Sequence, residues 1–104
     1  MIFDLSTPEI LESELSAIHD ALLRQEIDIH PHALNAAREE NIRPSELLAA
    51  ILVGRPTEKD LTNNQYGRFA GIAFEHLMND GRWIKVKVGD LGGIIVITVH
   101  TIRR

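Results

Sequence analysis

The spacing of apolar residues changes near residue 67, and this change constrains the fold more than any other feature of the chain. Before residue 67 apolar residues recur every three or four positions, as on one face of a helix, whereas after it they alternate with polar residues, as in a strand. Helices followed by strands are typical of the α+β class. At 104 residues, the chain has the length of one domain and can bury a modest core without disulfides.

Three helices are predicted in the first part of the chain. The first covers about 8–26, since Ser6, Pro8 and Glu9 form a capping pattern. Its apolar residues form a single stripe: Leu11, Leu15, Ile18 and Leu22. The next two helices are delimited by residues that start or stop helices: Pro31 and Asn41 for the second, Pro44 and Gly54 for the third. The polar residues 57–64 are predicted to be a loop.

Three strands are predicted at about 67–78, 82–88 and 94–102. Two-residue turns centred on Asp80-Gly81 and Asp90-Leu91 would place His76 opposite Lys85 and Ile84 opposite Ile97. One face of the sheet would then pack beneath the second and third helices: Ile84, Val86, Ile95, Ile97 and Val99. The other face would be polar: His76, Trp83, Lys85, Lys87, Thr98 and His100. The predicted fold is α+β, with N-terminal helices packed on one face of a three- to four-stranded antiparallel sheet.

The net charge of −4 argues against a domain that clamps nucleic acid over its whole surface, but the charge is unevenly distributed. Residues 1–31 hold seven acidic residues and one Arg, whereas residues 61–104 hold six basic and three acidic residues. The acidic segment is interpreted either as the solvated face of a helix or as a helix that shields a basic site. The apolar stripe of this helix would pack on its own domain or on a second copy, which makes a homo-oligomer one expected partner.

The chain contains no Cys, which excludes a thiol nucleophile, a disulfide framework and a Cys-based zinc site. A reducing cytoplasm is the compartment expected for such a chain. The first residues carry neither a basic leader nor a long apolar run, so we expect no secretory signal and no association with a membrane.

A series of short motifs extends from residue 29 to residue 100: His32-Ala33, residues 38–42, the helix end at Gly54, residues 66–69, Asp80-Gly81-Arg82 and Val96-Ile97-Thr98-Val99-His100. Together they resemble a bacterial family of small domains of unknown function related to the RelE-like toxins. The chain departs from the family where Arg is frequent, at Ala36, and also at His30, Asn41 and His100, where the family has Ser, Gly and Tyr. The resemblance divides the chain into an acidic N-terminal helix extension, 1–28, and a RelE-like domain, 29–104.

This resemblance implies the ribonuclease fold shared by barnase, EndoU, colicins and RelE. It further implies the toxin of a toxin-antitoxin pair, with RNA or the ribosome and an antitoxin protein as partners. RNA cleavage without a metal or cofactor requires a base, an acid and a cation near the phosphate. The candidate catalytic residues are His76, His100, Lys85 and His32, and the candidate nucleic-acid-binding residues are Lys87, Arg68, Trp83 and Arg82.

Each of these interpretations has an alternative. The polar face could be only the solvated side of an antiparallel sheet. His30-Pro31-His32 could start a helix. It could also hold a metal, although no further ligand follows at a fixed spacing. The alternative function is a non-catalytic protein-interaction module of the same fold, which the Ala at position 36 and the acidic net charge favour. The clustered His and Lys residues favour the enzyme.

Overall fold

Three helices lie on one face of a five-stranded sheet in the computed structural model, which describes residues 2–61 and 69–103. The helices are α1 (Glu12–Leu23), α2 (Pro31–Glu39) and α3 (Pro44–Val53). The strands are β1 (Asp28–Ile29), β2 (Arg55–Asp60), β3 (Gly71–Leu77), β4 (Trp83–Asp90) and β5 (Ile94–Ile102). The α+β class is thus confirmed, with five strands rather than three to four.

The strands lie in the order β1-β5-β4-β3-β2, with β1 parallel to β5 and every other pair antiparallel. The two strands that were not predicted are the edges of this sheet. β2 overlaps the predicted polar loop 57–64, and its charged residues and Pro56 are typical of an edge strand. Because such a strand has no apolar alternation, periodicity did not detect it.

The core lies between the helices and the facing side of the sheet. Ile18 of α1, Ala33 and Ala37 of α2, and Leu47 and Ile51 of α3 are buried there. The sheet contributes Ile72, Phe74, Ile84, Val86, Val88, Val96 and Val99. Leu15 and Leu22 also pack against this core, so the α1 stripe packs on its own domain as one interpretation predicted. No helix of the described residues is long and apolar enough to cross a membrane.

α1 begins four residues later than its predicted start. The Ser6 N–H donates to Asp4 and the Glu9 N–H donates to Thr7 Oγ1, so this segment forms local turns instead of a cap. The helix begins after Leu11, whose N–H donates to Glu14 Oε1 at 2.8 Å. In contrast, the predicted boundaries of the next two helices are confirmed, including a left-handed Asn41 with φ of 54°.

The register of β3 and β4 differs from the prediction by one residue. Their connection is a three-residue turn, Asn79-Asp80-Gly81, in which Gly81 has a φ of 91°. His76 therefore lies opposite Ile84, on the helix side of the sheet, and not opposite Lys85. A slip of one residue moves every side chain to the other face, so the predicted placement of His76 on the polar face was wrong.

The predicted register of β4 and β5 was also wrong. Ile84 lies opposite Thr101, not opposite Ile97, and Ile97 is the extra residue of a β-bulge between the pairs of Lys87 and Val88. Ile97 packs over Gly89 on the side of the sheet away from the helices, and Ile95 is paired with Gly89 on that same side. Ile84, Val86 and Val99 are buried beneath the helices as predicted, whereas Ile97 is buried on the other side of the sheet and Ile95 is only partly buried.

Candidate functional site

The side of the sheet that faces away from the helices, called here the open face, carries a groove with a volume of ≈ 370 Å³. The groove is lined by side chains from four strands and from Phe69: Glu58, Asp60, Ala73, Lys85, Lys87, Ile97, Thr98 and His100. A concave surface that combines apolar and convergent polar side chains is the usual form of a binding site. Most of the predicted polar face is therefore part of this groove.

Small residues on β3 form the floor of the groove. Gly71 and Ala73 lie on the open-face side of β3, between β2 and residues 87–89 of β4. Because neither has a long side chain, carboxylates from β2 reach across β3 to lysines on β4. Lys85 pairs with Glu58, and Lys87 pairs with Asp60 at 2.5 Å.

In both ion pairs the carboxylate side chain is more exposed than the lysine side chain. The side chains of Lys85 and Lys87 are 20% and 12% exposed, whereas those of Glu58 and Asp60 are 56% and 37% exposed. Glu75 also lies on the open face, opposite Lys85, and accepts a hydrogen bond from Thr57 Oγ1 at 3.0 Å. The charge that the groove presents to solvent is therefore carried mainly by carboxylates.

The structure brings together two of the four predicted catalytic residues. His100 lies directly opposite Lys85 on neighbouring strands and is exposed. His76 lies on the other face of the sheet, and His32 is exposed on the first turn of α2. Acid-base cleavage through His76 and His100 on one surface is therefore not supported by the geometry.

The His30-Pro31-His32 segment starts α2. His30 is the N-cap residue, and its Nδ1 accepts a hydrogen bond from the His32 N–H at 3.1 Å. This is the helix-start role that the sequence suggested. Across residues 2–61 and 69–103, no three His, Asp or Glu side chains are arranged to hold a metal ion.

Arg82, a predicted nucleic-acid contact, binds within the chain. Its Nη1 donates to the Glu40 carbonyl, its Nη2 donates to the Asn41 carbonyl at 3.2 Å, and its Nε donates to Asp80 at 2.9 Å. The carbonyl groups belong to the two residues that follow α2, so the guanidinium binds the segment at which this helix ends. Hydrogen bonding between Asp80 and Arg82 lowers the pKa of Asp80 and raises the pKa of Arg82.

The other predicted nucleic-acid contacts have different positions. Lys87 lines the groove, whereas Arg68 lies outside the described residues. Trp83 is on the open face, between Leu77 of β3 and Ile102 of β5. These three side chains form an apolar row at one end of the open face, beside the groove, and Leu77 is 47% exposed.

Sequence reasoning missed Glu58 and Asp60, which determine the charge of the groove. Residues 57–60 are all polar, so no alternation of apolar and polar residues indicated a strand there. Comparisons of the chain with protein-family models, with curated proteins and with solved structures find no match.

Proposed function

We propose that the chain is a non-catalytic protein-interaction module whose open face binds a partner segment carrying apolar and basic side chains. The observation that carries this proposal is the position of the apolar row Leu77, Trp83 and Ile102 beside a groove whose exposed charges are carboxylates. The first feature supplies an apolar anchor, and the second selects the charge of the partner.

The apolar row suits protein binding because large exposed apolar groups are costly to leave in water and mark interaction sites. Tryptophan is among the residues that contribute most to the free energy of protein association. The row also lies beside Val53, which is 66% exposed at the end of α3 and lines a second groove together with Leu77 and Trp83. The apolar surface therefore extends from the sheet to the end of a helix.

The charge of the groove favours a basic partner over a polyanion. An approaching phosphate would first meet Glu58 and Asp60, because the lysine ammonium groups are recessed behind them. A partner Lys or Arg can pair with Glu58 without breaking a buried contact. The net charge of −4 attracts a basic segment over longer distances as well.

The test uses two synthetic peptides of equal length, one alternating Leu with Arg and the other alternating Leu with Glu. Trp83 is the only Trp, so its fluorescence reports binding at the open face directly. We expect the Leu/Arg peptide to change this fluorescence saturably and to bind at least tenfold more tightly than the Leu/Glu peptide. The Glu58→Gln variant should weaken binding, whereas the Glu12→Gln variant, which removes an exposed carboxylate of α1, should not. Equal affinity for both peptides, or an unchanged Glu58→Gln variant, would refute the proposal.

A second candidate function, metal-independent RNA cleavage by a RelE-like toxin, is favoured by one observation. His100 lies directly opposite Lys85, so a proton-transfer group and a cation are neighbours. If His100 transfers a proton, His100→Ala should lower cleavage of an unstructured RNA in EDTA by about 10²–10⁴-fold. His32→Ala serves as the control, since His32 lies on α2, which packs against the other face of the sheet. Absence of cleavage by the unmodified chain, alone or with ribosomes, rejects this candidate.

A further inference from the structure

The outer edge of β5 is a second feature of the sheet, and its role is independent of the proposed function. We propose that this edge pairs antiparallel with β5 of a second copy of the chain, which joins two five-stranded sheets into one. The argument rests on the sheet topology, on the contrast between the two sheet edges and on the charge of β5.

Most of β5 has a strand on only one side. β4 pairs along its whole length, whereas β1 pairs only with Ile95 and Val96. Within the described chain, residues 97–102 have no strand neighbour on the β1 side. An edge of this length presents backbone N–H and C=O groups that can continue the ladder with another strand.

The two edges of the sheet differ in how they are protected against such pairing. β2, at one edge, contains Pro56, a register irregularity between Pro56 and Glu58, and four charged residues. Proline, irregular pairing and charge are the features by which proteins prevent edge-to-edge association. On the other side of the sheet, residues 97–102 of β5 extend beyond β1; β5 is rich in β-branched residues and has no Asp, Glu, Lys or Arg between Ile94 and Ile102. β2 is therefore a protected edge, and the outer edge of β5 is not.

The absence of charge on β5 favours a second copy over a foreign strand. In a twofold antiparallel pair each residue lies near its own equivalent, so any charged residue near the axis would face a like charge. β5 meets this requirement, and its nearest charged residue, Arg103, follows the strand. With the axis near Val99, two copies of Arg103 would be about 25 Å apart, well beyond the screening length of about 8 Å at physiological ionic strength.

Pairing through β5 would join two copies without using α1. The apolar stripe of α1 is packed in its own core, so it is not available for the homo-oligomer expected from the sequence. A β5 pair leaves that core intact and places the two open faces side by side in one continuous sheet.

The experiment measures the mass of the full chain in solution by sedimentation equilibrium over a range of concentrations. We expect a dimer whose dissociation constant rises at least tenfold in the Thr101→Lys variant, because a lysine within the paired part of an edge strand opposes edge-to-edge association. Thr101 is exposed, so the substitution leaves the core unchanged. The matched control is Thr57→Lys, at an exposed position of β2, which should remain dimeric. A monomeric unmodified chain, or a dimer that Thr101→Lys leaves unchanged, overturns the proposal.

Cross-linking supplies a second measurement that does not depend on the stability of a charged variant. Because the chain has no Cys, one introduced cysteine is unique in it. Thr98→Cys, His100→Cys and Thr101→Cys place the thiol along β5, and Thr57→Cys places it at the other edge. We expect mild oxidation to link two copies through at least one β5 position much faster than through position 57. Equal or slower linking through every β5 position would show that the copies do not meet at this edge.

Discussion

The Lys59 ammonium group lies 2.8 Å from Oε2 of Glu14, and both side chains are buried. Lys59 also donates to the Glu9 carbonyl at 2.8 Å. The Glu14 carboxylate accepts two further hydrogen bonds, from the backbone N–H groups of Asp4 and Leu11. This ion pair joins the N-terminal segment and α1 to the edge strand β2, and each of its charges is hydrogen-bonded.

Removing one member of this pair leaves the other charge buried without its partner. We expect Lys59→Met and Glu14→Gln each to lower the free energy of unfolding by about 3–5 kcal/mol. The double variant should lose much less than the sum, since neither unpaired charge then remains. Urea denaturation measures all three, with Glu12→Gln as the exposed control on the same helix. Additive losses would contradict this interpretation.

Glu14 also makes stability depend on pH. Burial raises its pKa, but hydrogen bonds from Lys59 and from two backbone N–H groups outweigh burial and hold the pKa below the ordinary value of 4.5. The unfolded chain therefore binds a proton at Glu14 at a higher pH than the folded chain does. The stabilisation is complete above about pH 4.5 and is lost as the pH falls through the lower pKa of the folded state. Unfolding measured from pH 6 to pH 2 should show a shallower acid slope for Glu14→Gln than for Glu12→Gln.

The β3–β4 turn depends on the left-handed conformation of Gly81. A Cβ there would meet no atom within 4 Å, so the cost of Gly81→Ala comes from its φ of 91° alone. We expect a loss of about 1–2 kcal/mol in the free energy of unfolding. Gly93→Ala, in the next turn, also meets nothing within 4 Å but has no positive φ, and it should change stability by less than about 0.5 kcal/mol. Thermal unfolding of both variants would detect this difference, and equal losses would argue against it.

Two glycines beneath the groove should respond differently to alanine. At Gly71 a Cβ would collide with the Val88 carbonyl, which belongs to the backbone of the neighbouring strand. At Gly89 it would collide with Cδ1 of Ile97, the end of a side chain. We expect a loss of about 1–3 kcal/mol for Gly89→Ala and a larger loss for Gly71→Ala, because the backbone of β4 cannot rotate aside as a side chain can. Ile97→Val, which removes Cδ1, should offset part of the loss from Gly89→Ala and none of the loss from Gly71→Ala, as a double-mutant cycle would show.

Local signals in the sequence predicted the parts of the fold that local interactions determine. Pro31 and Asn41 delimit α2, Pro44 and Gly54 delimit α3, and the limits of β5 agree with the predicted 94–102. The registers were not predictable in the same way. The turn can contain two residues, Asp80 and Gly81, or three, with Asn79 added. The three-residue turn places His76 opposite Ile84 on the helix side of the sheet.

The site was predictable only in part for the same reason. Alternation along β4 and β5 correctly placed Trp83, Lys85, Lys87, Thr98 and His100 on one face. The carboxylates that pair with the two lysines come from β2 and reach them across β3, a relationship that no spacing within one segment reveals. The acidic shield that the sequence suggested for the first helix is thus supplied to the groove by another element, while Glu14 of that helix is buried against Lys59.

The parallel pair of β1 and β5 also affects the order in which the chain can fold. Asp28 pairs with Ile95, so roughly 70 residues must leave the ribosome after β1 before its partner exists, a delay of several seconds at usual rates of synthesis. During that interval the apolar side of α2 lacks β5, the strand against which it packs. Contacts between distant parts of a chain also form slowly. The nascent chain therefore passes through a period in which chaperones can bind α2, and that period ends when β5 pairs with β1 and β4.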